Sequence, residues 1–338
     1  MGIDKMKAFV TGVGGQLGHD IVIELAKRGY EAIGSDIAST YSGIKDGSAA
    51  ETAPYYSLDI TDAVKVQQVV AEVQPDVVFH CAAWTAVDLA EDEDKQAKVR
   101  AINVGGTQNI ADACKTIGAK MIYLSTDYVF DGQGTEPWQA DCKDYKPLNV
   151  YGQTKLDGEF AVANTIDKYF IVRIAWVFGK NGNNFIKTML NIGKKFDTLR
   201  VVNDQIGTPT YTVDLARLLV DMAETEKYGY YHATNEGGYI SWYDFACEIF
   251  KEAGYTTVKC DMARYLENLP AKQLIKDYMY SICDKSVLTV SLDGKQKDKK
   301  EFIYQKNKEF LFKINLLTKH PLFKYLHQKK DIVLKFVN

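Results

Sequence analysis

The sequence is poor in the residues that staple or bend small folds, with 7 prolines and 6 cysteines in 338 residues. Cys81, Cys114, Cys142, Cys247, Cys260 and Cys283 stand far apart with no C-x-x-C pair. That spacing argues against a zinc cluster and fits reduced thiols in a reducing compartment. No apolar run approaches the ~18 residues a membrane helix needs, and no signal-peptide core opens the chain. A cytoplasmic protein with no membrane partner is therefore expected. A formal net charge of −3 gives no electrostatic basis for binding nucleic acid. Tryptophan is absent after Trp242 and arginine after Arg264, although 15 of the 35 lysines follow Arg264. The remaining composition, 46% hydrophobic and 25% charged, suits one large soluble domain or two joined ones.

Short apolar runs alternate with amphipathic stretches through the first two thirds of the chain. Strands are expected at 7–11, 30–36, 76–83, 120–126 and 169–176. Helices are expected at 20–29, 62–73, around 95–116 and from Tyr151 onward. Strands that read as unbroken Val/Ile/Phe runs are covered on both faces, as in a parallel sheet. Their alternation with helices implies an α/β, doubly wound Rossmann sheet, followed by a smaller α/β C-terminal substrate-binding domain. We place the dinucleotide-binding part at 1–178, with 212–235 returning to it. The substrate-binding part is 179–211 and 236–302, with helices at 183–195, 212–224 and 241–254 in this half of the chain. Residues 303–338 form an atypical Lys-rich tail whose composition suits an amphipathic helix.

"TGVGGQLG" (11–18) sits between the first strand and the first helix. Gly12, Gly15 and Gly18, with Gln16 and Leu17, have the spacing that lets backbone approach a pyrophosphate. The following helix then offers its N–H groups to the phosphates. Asp36 ends the second strand, where a carboxylate accepts from both adenosine ribose hydroxyls and repels a 2′-phosphate. This mildly favours NADH over NADPH. Asp59 and Ile60 are candidates to flank the adenine.

Tyr151 and Lys155 share one helical face at a spacing of four. The chain has four other Tyr/Lys pairs at that spacing: Tyr41/Lys45, Tyr255/Lys259, Tyr304/Lys308 and Tyr325/Lys329. Tyr151/Lys155 alone follows a strand of the nucleotide fold that ends in a hydroxyl residue, Thr126, at the carboxyl edge where such sheets bind ligands.

"TGxxGxxG", "STDYVFDG" and "YGxTKxxGE" together resemble the extended short-chain dehydrogenases/reductases. "CAAWTAVDLAE", "NNFIKTML", "DQIGTPTY" and "YHATNEG…SWYDFA" narrow the likeness to the dTDP-4-dehydrorhamnose reductase family, as far as about residue 255. The resemblance implies reduction of the 4-keto group of dTDP-4-dehydro-β-L-rhamnose by NADH or NADPH. Thr126, Tyr151 and Lys155 would then be catalytic, and Tyr151 and Lys155 would also touch the cofactor. Ala82, Ala83, Thr85 and Asn103 would line the cofactor. Asp127, Tyr128, Trp176, Asn184, Gln205 and Thr208 would face the sugar nucleotide. Related dehydratases carry an acidic pair after the threonine, whereas Asp127-Tyr128 suits plain reduction. The family includes homodimers with a divalent ion such as Mg2+ at the interface, but no metal ligands stand out here. The resemblance also leaves open another nucleotide-sugar reductase or epimerase, or a catalytically silent regulatory subunit. Its Arg-Pro element near the C-terminus is replaced by Asp277-Tyr278, which would remove a charge-assisted contact to the substrate.

Overall fold

The computed structural model describes residues 5–134 and 136–255, and beyond them the strand segments 259–263, 285–292, 301–304 and 332–337. The strands in chain order begin with β1 (Lys7–Thr11), β2 (Glu31–Asp36), β3 (Tyr55–Ser57), β4 (Val77–His80), β5 (Lys120–Thr126), β6 (Tyr169–Ile174) and β7 (Val177–Phe178). They continue with β8 (Thr198–Val202), β9 (Ile206–Gly207), β10 (Thr210–Tyr211), β11 (Gly229–His232), β12 (Ile240–Ser241) and β13 (Lys259–Ala263). The helices are α1 (Gln16–Lys27), α2 (Ala49–Thr52), α3 (Ala63–Val73), α4 (Glu93–Arg100), α5 (Thr107–Ile117), α6 (Val150–Thr165), α7 (Phe185–Gly193), α8 (Thr212–Ala223) and α9 (Trp242–Glu252).

Seven strands form one parallel sheet in the order β11-β6-β5-β4-β1-β2-β3. The order reverses at β1, which opens a cleft at the carboxyl ends of β1 and β4, the usual ligand position in such sheets. Alternate residues of each strand feed two separate cores. Val10, Phe79, Ile122 and Phe170 pack with α1 and α8 on one face. Phe9, Val78, Met121, Tyr123 and Ile171 pack with α3, α5 and α6 on the other. Both cores are closed to solvent, which is why the strands read as continuous apolar runs.

The expected strands at 7–11 and 120–126 match β1 and β5 to the residue. Helix α1 starts four residues earlier than its apolar periodicity suggests, directly on the glycine loop. The expected strand 76–83 ends at His80, because Ala82 turns away and donates its N–H to the Thr11 hydroxyl (3.1 Å) rather than to a neighbouring strand. The expected strand 169–176 ends at Ile174, and Trp176 takes a left-handed backbone with φ +50°. The helical stretch near 95–116 is α4 and α5 joined by a π-helical turn, Ala101–Gly106.

Contacts divide the chain into two compact units, Met1–Asp197 with Ile206–Ile240 and Glu248–Val258, and Thr198–Gln205 with Ser241–Cys247 and Lys259–Asn338. In the first, α8 packs on α1 and β11 extends the sheet beside β6. In the second, β8 and β13 pair in parallel, and Lys285–Leu292 lies between Glu301–Tyr304 and Ile332–Val337 in an antiparallel sheet. Ile332–Val337 is thus a strand, not part of the amphipathic helix expected of 303–338, and most of that tail lies outside the described residues. Among the described residues, no helix is long and apolar enough to cross a membrane.

Candidate active site

The glycine loop is built by close approach of backbone to backbone. Gly12 has φ +71°, and a Cβ there would lie 2.7 Å from the amide nitrogen of Ala82. A Cβ on Gly18 would lie 2.5 Å from the Gly12 carbonyl oxygen. Gly15 is the N-cap of α1 and supplies no side chain to its first turn, which carries no acidic residue. The first-turn N–H groups of Gln16, Leu17 and Gly18 lack intrahelical partners, so the turn suits an anion. Asp36, at the end of β2, accepts from Gly14 N at 2.9 Å and from Ile37 N at 2.7 Å. Gly14, which the spacing argument passed over, is what brings the loop onto that carboxylate.

The neighbouring candidates divide into exposed and engaged groups. Asp59 is exposed and holds Thr61 through both N–H and hydroxyl, while the Ile60 side chain is buried in the core against Gly106. Ala82 and Ala83 are half-buried behind the loop, and Thr85 is exposed. Asn103 is buried: its oxygen accepts from Trp84 N (2.8 Å), and its amide reaches Trp84 O and the Thr154 hydroxyl. It clamps the segment after β4 to α6. Asn184 caps α7 through Lys187 N and donates to Gln16 and to Gly179 O. Its polar atoms therefore engage the glycine loop and α7, not the cluster of sugar-facing candidates. Asn181, unmarked by any motif, donates to Gly14 O (3.0 Å) and Gly15 O (2.8 Å).

Thr126, Tyr151 and Lys155 converge at the end of β5. Asn149 caps α6 by accepting from Gly152 N at 2.7 Å, which starts the helix one residue before Tyr151. Further along, a Cβ on Gly158 would lie 2.3 Å from the Tyr123 hydroxyl. Its absence lets α6 settle onto β5, with Lys155 Nζ 4.1 Å from the centre of the Tyr123 ring. Lys155 is 3% exposed, and burial brings its ammonium down to about 7, against the opposing pull of Glu159 and Cys81. Burial raises the Tyr151 phenol above its ordinary range; the Asp127 carboxylate adds to this, and a hydrogen bond with Thr126 works the other way. The Thr126 hydroxyl also lies 3.0 Å from Asp127 Oδ1. These three groups can deliver a proton from a phenol to an oxygen lodged between Thr126 and Tyr151, with an ammonium one helical turn away.

Of the remaining candidates, Tyr128 stands edge-on to Tyr151 with ring centres 6.0 Å apart. Trp176 is half-buried, its indole filling the space a side chain on Gly207 would need, 2.9 Å from that Cβ position. Its left-handed backbone, φ +50°, is strain of the sort that collects at ligand sites. Thr208 is half-buried in the same unit, and Gln205 belongs to the second unit. Asp277 and Tyr278 lie outside the described residues. Among the described residues, no group of three or more His, Cys, Asp or Glu could hold a metal ion.

Residues 6–273 match the RmlD substrate binding domain family. The chain is 37% identical over 294 residues to a dTDP-4-dehydrorhamnose reductase from Aggregatibacter actinomycetemcomitans, covering 85% of this chain and 90% of that protein. A solved dTDP-4-dehydrorhamnose reductase from Clostridium acetobutylicum shares 41% identity and a TM-score of 0.69, over 78% of this chain and 86% of its own. One from Bacillus anthracis, solved in complex with NADP, is 38% identical with a TM-score of 0.69, over 78% of this chain and 85% of its own. With the family match spanning both the glycine loop and the Thr126–Tyr151–Lys155 cluster, this chain belongs to the dTDP-4-dehydrorhamnose reductase family.

Proposed function

We propose that the protein reduces the 4-keto group of dTDP-4-dehydro-β-L-rhamnose to give dTDP-L-rhamnose, using NADH or NADPH. The observation that carries this reading is the convergence of Thr126, Tyr151 and Lys155 beside the cleft that the glycine loop opens. That loop, the first turn of α1 and Asp36 fit a dinucleotide: Gly12 and Gly18 let the loop backbone close on itself without a side chain between, and the first turn of α1 leaves its N–H groups for the phosphates. When bound, the cofactor supplies hydride to the carbonyl carbon. Thr126 and Tyr151 hydrogen-bond the carbonyl oxygen, and Tyr151 gives it the proton as negative charge develops there. Lys155, in its ammonium form, lowers the cost of the tyrosinate left behind. Bulk solvent then reprotonates Tyr151. Asp36 offers carboxylate oxygens to an unphosphorylated ribose, so NADH is the better cofactor on this reading.

The test follows cofactor oxidation with dTDP-4-dehydro-L-rhamnose. Turnover is expected, with a loss on the order of 10²–10⁴ in kcat for Tyr151→Phe, while cofactor affinity is kept. Cofactor binding without turnover of this sugar nucleotide would refute the reading, and binding without turnover of any sugar nucleotide would favour a silent regulatory subunit.

A further inference from the structure

We propose that Glu159 is a positioning residue for this reduction: its buried carboxylate sets a negative charge one helical turn from Lys155 and ties the strand end bearing Thr126 to the helix bearing Tyr151. The proposal rests on the reductase reading for its kinetic part. Glu159 has no exposed surface. Its Oε1 accepts from the Ser125 hydroxyl at 2.5 Å and from Arg173 Nε at 2.9 Å; its Oε2 accepts from Arg173 Nη2 at 2.8 Å. A two-pronged guanidinium contact of this kind is how an ionised carboxylate is held in a protein interior. Ser125 directly precedes Thr126, and Glu159 lies one turn beyond Lys155 on the same face of α6. One carboxylate therefore joins β5, α6 and β6 immediately behind the cluster.

Arg173 is itself fixed. Its other contacts are to Ala140 O and the Tyr145 hydroxyl in the segment between Thr126 and Tyr151, and to His232 on β11. The rings of Phe130, Tyr145 and Tyr230 surround its guanidinium at 5.0–5.2 Å. The same pair thus also anchors the long connection that leads into α6.

Among the described residues, the titratable groups facing Lys155 are Glu159 on α6, Tyr123 on β5, His80 at the end of β4, and Cys81 just after it, with Tyr151 one helical turn back on α6. His80 is held neutral, its imidazolium brought down to about 3 by burial and then by Lys155. The Cys81 thiol is pushed up to about 12 by burial, and the Tyr123 phenol well above its usual range. Both are neutral near pH 7. Asp127 acts on Tyr151, at the open side of the cluster. Glu159 is therefore the anion in this set that favours an ammonium on Lys155.

The experiment compares the wild type with Glu159→Asp, Glu159→Gln and the double variant Glu159→Gln/Arg173→Met. The double variant removes both buried charges, so it folds without a stranded guanidinium even where the single Gln variant does not. Two readouts are taken: the alkaline limb of kcat/KM, and the titration of [ε-13C]lysine-labelled protein, with the Lys155 resonance assigned by Lys155→Met. In the double variant, the limb and the Lys155 titration move to lower pH together, by on the order of one unit. Glu159→Asp keeps them near the wild-type position. A folded double variant with wild-type limb and titration would overturn the proposal and leave Glu159 as a partner for Arg173 alone. The titration needs no turnover, so an inactive wild type would defeat the reductase reading while the resonance still decides the role of Glu159.

Discussion

Lys155 is a cation placed where burial opposes its charge, and replacing it separates the needs of the fold from those of the chemistry. In the unfolded chain its amine titrates near 10.5, and in the folded protein near about 7. Below pH 7 both states hold the proton, and the folded state carries the full penalty of a buried ammonium. Between pH 7 and 10.5 the unfolded chain holds a proton that the folded protein has released, so stability rises with pH. That difference corresponds to about 5 kcal/mol when complete, at ~1.36 kcal/mol per unit. Lys155→Met removes this titration. Urea unfolding of cofactor-free protein, followed at pH 6 and pH 9, should show the wild type gaining about 3 kcal/mol on the variant as pH rises. Turnover in the variant should be lost at both pH values. A wild-type-minus-variant difference that is flat across this range would refute the argument, because it would mean that Lys155 titrates alike in both states. A difference that falls with pH would show that its partners outweigh its burial.

Gly18→Ala places a methyl 2.5 Å from the Gly12 carbonyl, so the loop must shift. Cofactor affinity, measured by quenching of tryptophan fluorescence, should weaken at least tenfold, and the fold should lose about 1–3 kcal/mol to overpacking. Asp36→Ala removes acceptors from the ribose site and a negative charge that opposes a 2′-phosphate. The ratio of kcat/KM for NADPH to that for NADH should rise about tenfold or more, with an unchanged ratio counting against Asp36 as the discriminating group.

The parts of the site legible in the sequence are those set by local chain geometry. A strand, a turn of glycines and a helix lie within twenty residues, so Gly12, Gly15 and Gly18 declare themselves, and Asp36 follows one strand later. Tyr151 and Lys155 needed position as well as spacing, since four other pairs share the pattern. What stayed hidden comes from distant segments. Asn181 reaches the glycine loop across more than 160 residues and looks like any polar loop residue. Arg173 left a trace, because a charge in the run "YFIVRIAW", buried on both faces, requires a buried partner. Glu159 closes the motif "YGxTKxxGE", but the motif does not say that its carboxylate reaches Ser125 and Arg173. The contacts of Asn184 to Gln16 and Gly179 were not legible either, because a motif marks a residue without saying which neighbour its amide will reach. The turn at Trp176 was not legible at all, since nothing in its sequence requires a left-handed backbone.

The π-helical turn at Ala101–Gly106 makes the number of residues between α4 and α5 as important as their identity. A wide turn holds one residue more than an α-helical turn, and each residue of helix turns the chain by about 100°. Asn103 lies within it and joins Trp84 to Thr154. Loss of a single residue between Arg100 and Thr107 would tighten the turn to an ordinary one, leaving α4 and α5 close to their present register and displacing the residues inside the turn. Asn103 would swing out of the interior, and the segment after β4 would lose its hold on α6. Here the site depends on an insertion in a helix, a feature that no substitution at a catalytic position would reveal.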